Sequence, residues 1–321
     1  MSENDYNPFR GENQDWPKLV VAVVGPTASG KTNLALAIAR EVGGFLISAD
    51  ARQIYKGMDI GTNKESIDVK RNGEVVPGFG LDLVKPNESY TVQQFQRDAL
   101  QELRKPELQG LVPILVGGTG LWVSAVIDGL NIPAVAPNES LRTELETRVE
   151  REGLESLVVE LFTKDPNLKG EIDQENPRRV IRALEIIQET GRPLSEQTGK
   201  TKPPFDTLLL MPKIEREVLD ERIHARVMNM VHEGLVQEVE QLLQEHPRDL
   251  PPFSGIGYAE VIRYLDGLVT KEALIEEIAA HTRQYARRQW SWWRRESRIQ
   301  QVATSEEAVP IVQGLLEKGR T

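Results

Sequence analysis

No cysteine occurs in the 321 residues, which excludes disulfides, thiolate metal ligands, iron–sulfur clusters and a cysteine nucleophile. Histidine is nearly as scarce. The four present, His224, His232, His246 and His281, fall in the last third, and none forms the HxxxH pair that puts two imidazoles on one helical face. A zinc site or a histidine-based triad is not expected. Long apolar runs are also missing: the longest aliphatic one, Leu19 to Val24, falls far short of the roughly 20 residues a membrane helix needs. The first sixteen residues are polar and acidic, without an apolar signal segment or an Arg/Ser-rich leader, so a cytoplasmic protein with no membrane partner is expected.

The length suggests two structural units at the usual prior of about 150 residues per domain. With 39% hydrophobic and 27% charged residues, the chain has the composition of a soluble globular protein. Its 39 basic and 49 acidic residues leave a net charge of −10, which taken alone argues against a nucleic-acid partner. The charge is segregated, however. Residues 281–300 hold six arginines and one acid, Glu296, so this stretch carries +5 and the remainder −15.

Leu19 to Val24 ends in Gly25 and reads as a parallel strand buried on both faces, followed by a helix from Lys31 to about Val42. Phe45–Ser48, Leu111–Val116 and Thr207–Met211 read as further core strands. Strands alternating with helices predict an α/β fold, a P-loop-type parallel sheet flanked by helices, with ligands beyond the carboxyl ends of the strands. From about Asn138 to Lys200 there is no strand signal, and Glu139–Glu150 and Leu154–Phe162 read as charged amphipathic helices. The expected organisation is a first core part at 17–137, a helical insertion at 138–200 and a second core part at 201–321. That second part continues as helices at Glu215–Val231, Leu235–Gln244, Ala259–Leu265 and Lys271 to about Gln300.

Gly25-Pro26-Thr27-Ala28-Ser29-Gly30-Lys31-Thr32 fits G-x-x-x-x-G-K-[ST] between a strand and a helix, the setting of a nucleotide-binding P-loop. Such a loop turns backbone N–H groups toward a phosphate, Lys31 adds charge, and Thr32 offers a hydroxyl to Mg2+. A plain ATP-binding hydrolase would also need an apolar strand ending in a metal-holding Asp. The third strand ends instead in Gly117-Gly118-Thr119-Gly120, and the only Asp at a strand end is Asp50. Beside the phosphate loop a carboxylate could take a proton from a nucleophile; a turn-forming or capping Asp is the equal alternative on residues alone.

Six motifs extend this picture: GPTASGKT at Gly25–Thr32, SADARQIYKGMDIGT at Ser48–Thr62, GGTGLW at Gly117–Trp122, NPRRVIRALEI at Asn176–Ile186, GIGYAE at Gly255–Glu260 and TRQYARRQWSWWR at Thr282–Arg294. In this order they closely resemble the tRNA dimethylallyltransferases, also called tRNA isopentenyltransferases. The resemblance implies transfer of a dimethylallyl group from dimethylallyl diphosphate, held with Mg2+ in the P-loop, to N6 of adenosine 37 beside the anticodon of tRNA. By similarity Asp50 is the general base, while Thr27, Lys31 and Thr32 grip the leaving diphosphate and its metal. Thr119 and Gln53, with Ala51 and Arg52 in the same segment, resemble contacts to the target nucleotide. Arg222 and Arg226, one helical turn apart, could add diphosphate contacts, although Asp220 and Glu221 leave a surface ion-pair reading equally open.

On an ideal helix Arg283, Arg287, Arg294 and Arg298 fall within about 60° of one another with Trp290 at the border, while Tyr285 and Trp292 point away and could dock the helix on the core. A row of arginines, Arg288 beside it, can hold RNA phosphates; the bland alternative is a solvated basic face. The resemblance implies that an anticodon stem-loop is the partner, with the insertion closing on one side of it and the core on the other. Arg142, Arg178, Arg179 and Arg182 would contribute contacts, salt bridging inside the insertion being their alternative role. Nothing demands an obligate protein partner, and a monomer is expected. Three positions depart from the family pattern: Ala51 where Ser is usual, Gly78-Phe79 after Pro77 where His-His is common, and Trp122 in place of Tyr. Rival readings are an adenylate isopentenyltransferase acting on free nucleotides and a P-loop phosphotransferase. The insertion and the Arg/Trp helix argue against the first, and the missing strand-end Asp against the second.

Overall fold

In the computed structural model, residues 7–9, 15–71 and 73–318 are described. Residues 1–6 and 10–14, within the stretch read above for a leader, and 319–321, the end of the expected second core part, lie outside the described residues. Among those described, no helix is long and apolar enough to cross a membrane.

Every residue of β1 (Leu19–Val24) is buried, as expected of a strand covered on both faces. It runs through the P-loop into α1 (Lys31–Val42), whose C-terminus is closed by Gly43 in the left-handed conformation. Then come β2 (Gly44–Ser48), a hairpin of β3 (Val69–Arg71) and β4 (Glu74–Val76), α2 (Val92–Glu102), β5 (Val112–Gly117) and α3 (Gly120–Ile127). The short β6 (Leu130–Asn131) leads to α4 (Glu139–Glu152), α5 (Leu154–Lys164) and α6 (Pro177–Thr190), and β7 (Gly199–Lys200) pairs back on β6. The chain then forms β8 (Asp206–Pro212), α7 (Arg216–Glu233), α8 (Leu235–Glu245), α9 (Tyr258–Leu265), α10 (Lys271–Trp293), β9 (Ile299–Val302) and α11 (Ser305–Lys318).

The chain divides into two compact units, Gly11–Ile127 with Pro203–Thr321, and Met1–Arg10 with Asp128–Lys202. The first contains a five-stranded, wholly parallel sheet in the order β2-β5-β1-β8-β9. The chain leaves β1 toward one edge of the sheet and later crosses to the other, so the switch in direction falls at β1, where ligands of open α/β sheets bind beyond the carboxyl ends. A second apolar cluster in this unit, including Val227, Leu235, Val239, Phe253, Tyr258 and Ile278, joins α7 to α10 and takes in Met58 from the loop after β2. The other unit packs α4, α5 and α6 around Leu145, Leu157, Leu161, Val180 and Leu184.

Two expectations need correction. The stretch up to Lys200 is not free of strand, since Gly199–Lys200 pairs with Leu130–Asn131. The last long helix stops at Trp293 rather than near Gln300. After the buried Trp293, the helix-spaced positions Glu296 and Ser297 offer no apolar side chain, whereas Ile299 and Val302 gain a partner by pairing with β8.

Candidate active site

The phosphate loop is built by backbone conformation. Gly25 has φ +140° and Ala28 φ +64°, a left-handed value rare for a residue with a Cβ, so successive turns of the loop point its N–H groups inward. Lys31 donates from Nζ to the Pro26 carbonyl at 3.2 Å. Burial pushes its pKa down to about 8, opposed by the nearby Asp50 carboxylate and assisted by Arg226. Arg226 comes from α7, donates from Nη1 to Thr27 Oγ1 at 3.2 Å, and is likewise shifted down by burial against the pull of Glu65 and Asp50. Among the described residues neither cation has an ion-pair partner within 4 Å. Two desolvated cations beside the start of α1 make a cradle that a diphosphate fits.

Asp50 follows β2 directly. Ala49 N–H donates to the Val116 carbonyl on β5 at 2.7 Å, which extends the sheet by one rung and brings Asp50 to the level of the P-loop. One carboxylate oxygen accepts the Arg52 N–H at 2.9 Å in an Asx turn. Thr119, from the loop after β5, accepts the Ala51 N–H at 3.4 Å and hydrogen-bonds Tyr285 of α10. Burial and the Asp50 charge hold the Tyr285 phenol above its ordinary range.

Two adjoining pockets result. The first is the cradle, lined by Thr27, Gly30, Lys31, Thr32, Asp50 and Arg226. The second is partly apolar and is lined by Asp50, Thr119, Met230, Tyr258, Tyr285 and Arg288. Thr27, Asp50, Thr62, Asn63 and Arg226 border both. A carboxylate at the seam between a cationic cradle and an aromatic pocket can accept a proton from a group in one while an anion departs into the other. For a metal ion, the described residues contain no cluster of three or more His, Asp or Glu side chains. Thr32 and Asp50 border the cradle, so the protein could give Mg2+ one hydroxyl and one carboxylate, and the remaining ligands would come from diphosphate and water.

The IPP transferase family model matches residues 53–296. The chain belongs to the IPP transferase family. It is 42% identical to a tRNA dimethylallyltransferase of Thermomicrobium roseum over 88% of this chain and 85% of that protein. The structure of a tRNA isopentenylpyrophosphate transferase from Bacillus halodurans superposes with a TM-score of 0.67 at 36% identity, covering 95% of this chain and 98% of that one. A eukaryotic dimethylallyltransferase crystallised acting on tRNA gives a TM-score of 0.75 at 25% identity, over 94% and 80% of the two chains.

Against this family background the remaining expected residues sort by environment. Gln53 has its amide engaged internally: Oε1 accepts from Ser48 Oγ at 3.2 Å, and Nε2 donates to the Thr62 and Asn63 carbonyls at 3.2 and 3.1 Å. Its visible role is to hold the loop after β2. Arg222 is exposed, its guanidinium 3.6 Å from where a Gly30 Cβ would stand; it lies beside the P-loop in an adjoining open cleft rather than on the cradle wall, and no ion pair with Asp220 or Glu221 forms among the described residues. Arg287, Arg288 and Arg294 are exposed, Arg283 is half-buried, and Arg288 lies over the Tyr285 ring.

Arg298 does not continue that row. It sits beyond the helix, bound to Glu296 through Nη2 at 2.6 Å. Trp292, though 42% exposed, packs its indole against Gly120 at the start of α3, and the neighbouring Trp293, 2% exposed and not singled out from the sequence, is the more deeply buried anchor of the helix. In the second unit, Arg142 and Arg182 both bind the fully buried Glu185, and Arg179 pairs with Asp173, so the salt-bridge alternative describes these three; Arg178 is exposed.

Of the three departures, Trp122 stacks on Phe95 at 4.5 Å between ring centroids, in the core and off both pocket walls. Phe79 pairs through its backbone with β2, and Ala51 contributes its N–H to Thr119. Residues not singled out by the sequence reading are Gln289, whose Oε1 accepts the Thr27 N–H at 2.8 Å, and Tyr258, on the second pocket wall. Both lie inside motifs quoted above, but an amide and a phenol disclose no such contact by residue type alone.

Proposed function

We propose that this chain transfers the dimethylallyl group of dimethylallyl diphosphate to N6 of adenosine 37 in the anticodon loop of tRNA. The observation that carries the reading is the position of Asp50 on the border of both pockets. The diphosphate occupies the cradle formed by the loop Gly25–Thr32, where Lys31, Arg226, the Thr27 hydroxyl and the N–H groups at the start of α1, among them those of Gly30, Lys31 and Thr32, stabilise the charge that grows as it leaves. Mg2+, bound by Thr32 and the diphosphate, would supply further charge neutralisation.

The target adenine, taken out of its stack, enters the second pocket. There Thr119, Tyr258 and Tyr285 offer polar and aromatic contacts, and Arg288 and Arg52 stand on the wall. N6 attacks the allylic C1, the C1–O bond breaks with its electron pair going to diphosphate, and the N6 proton passes to Asp50. Arg283, Arg287, Arg288, Trp290 and Arg294 on α10 hold RNA phosphates and bases. Arg178, with the less free Arg142, Arg179 and Arg182, adds contacts from the second unit.

The test is mass analysis of an anticodon stem-loop RNA incubated with protein, Mg2+ and dimethylallyl diphosphate, beside AMP and an Asp50→Ala variant. A prenyl mass gain on RNA alone, lost in the variant, is the expected result. A gain on AMP alone would make this a free-nucleotide enzyme, and no gain on either would return the P-loop phosphotransferase reading.

A further inference from the structure

The loop 59–63 lines the second pocket through Gly61, Thr62 and Asn63, the last two lining the cradle as well, while Glu238, which gathers its amides, lies outside both pockets. Glu238 on α8 receives four hydrogen bonds. Its Oε2 accepts the N–H groups of Asp59 at 2.9 Å and Ile60 at 2.6 Å, and its Oε1 accepts the Gly61 N–H at 3.0 Å and the Tyr258 hydroxyl at 2.7 Å. Three consecutive amides converging on one carboxylate form an anion nest closed by a side chain, and charge-assisted bonds of this kind are about twice as strong as neutral ones. Gly61 allows the close approach, because a Cβ there would stand 2.5 Å from the Tyr258 ring.

The anchor reaches the reacting centre by a short path. Thr62 and Asn63, next in the chain, accept both Nε2 protons of Gln53, and Gln53 Oε1 accepts Ser48 Oγ at the end of β2, two residues before Asp50. The path runs along one wall of the cradle, but the groups that grip the diphosphate are held separately: Thr27 by Gln289 and Arg226, and Lys31 by the Pro26 carbonyl. We propose, resting on the functional reading above, that Glu238 is a positioning residue: its carboxylate sets the loop 59–63 and through it the placement of Asp50 against the adenine pocket, while Thr27, Lys31 and Arg226 keep their hold on the diphosphate.

In Glu238→Gln one of the two accepting oxygens becomes an NH2 group facing N–H or O–H donors. Three quantities are measured on the full chain: amide exchange at residues 59–61 without substrate, the single-turnover prenylation rate at saturating substrates, and the Kd for inorganic diphosphate. The expected pattern is protection at one or more of these amides reduced about tenfold or more and a rate reduced about 10- to 100-fold, with the diphosphate Kd unchanged within about twofold. A pure fold clamp would lower the melting temperature and leave the rate of the folded protein intact. A rate within about twofold of wild type, unchanged amide protection, or equal losses of rate and diphosphate affinity would each overturn the proposal.

If Glu238→Gln does not fold, Tyr258→Phe takes its place. It removes one donor and keeps the carboxylate, so exchange should rise at Gly61 more than at Asp59 and Ile60, and equal exchange at all three overturns the assignment. A wild-type protein that leaves RNA and AMP unmodified would defeat the functional reading instead, while the exchange data would still decide whether Glu238 holds the loop.

Discussion

Gln289 of α10 accepts the backbone N–H of Thr27 in the P-loop at 2.8 Å, across 262 residues of sequence. The same helix carries the exposed arginines on its other side, and four residues earlier Tyr285 touches Thr119. One helix therefore has an exposed basic row and a row facing the P-loop and the loop after β5.

This link predicts that Gln289→Leu leaves the half-buried Thr27 amide without its partner at the pocket wall, a cost of about 1 kcal/mol. Because the amide belongs to the cradle, the expected signature is a KM for dimethylallyl diphosphate raised about tenfold with RNA affinity unchanged. Steady-state kinetics with gel-shift binding of the stem-loop would check it; an altered RNA affinity with normal KM would mean that the helix, not the loop, depends on Gln289.

Lys31 gives a pH dependence with a definite sign. Burial lowers its pKa to about 8 in the free protein, so the cationic form that binds a diphosphate is depleted as pH rises through 8. The bound anion favours the charged form and moves the pKa back up. Accordingly kcat/KM for dimethylallyl diphosphate should fall above pH about 8, whereas kcat at saturation should stay level over the same range. A kcat/KM profile flat to pH 10 would show that Lys31 titrates near its ordinary value.

The sheet and its carboxyl edge were legible in the sequence because continuous Val/Leu runs ending at Gly25, Asp50 and Gly117 permit little else. The cradle was legible because its spacing is dictated by phosphate geometry. Arg298 was misplaced because helical periodicity was projected past Trp293, where the missing apolar partner at Glu296 and Ser297 was the available stop signal. Glu238 and Gln289 could not be read at all: a surface-type Glu and Gln show their use only when tertiary contact brings three amides, or one, to within hydrogen-bond reach.

Glu185 is fully buried, accepts the Asn138 N–H at 2.6 Å and Arg142 Nε at 2.9 Å, and also pairs with Arg182. These contacts hold its carboxyl below the ordinary range against the opposing effect of burial. A Glu185→Ala change removes the shared buried partner of one amide and two guanidinium groups, leaving Arg142 with Glu139 and Arg182 with the Val135 carbonyl, so a loss of about 2–3 kcal/mol is expected from the second unit. Calorimetry should show a lowered transition while inorganic diphosphate binds with wild-type affinity, since no P-loop contact changes. A lowered diphosphate affinity would mean that the two units unfold as one.

Arg287 and Arg298 separate an RNA contact from a structural ion pair. Arg287 is exposed on α10 with no acid among the described residues within ion-pair distance, while Arg298 lies beyond the helix end bound to Glu296. If phosphates of a stem-loop sit along α10, each such arginine releases counterions on binding, and Arg287→Ala should reduce the slope of log K against log salt by about 0.7 to 0.9. Arg298→Ala should leave that slope unchanged, because its charge is already neutralised locally by Glu296 and no phosphate need replace it. Titrations of the stem-loop between low and moderate salt distinguish the two. Equal slopes for wild type and Arg287→Ala would remove α10 from the RNA surface.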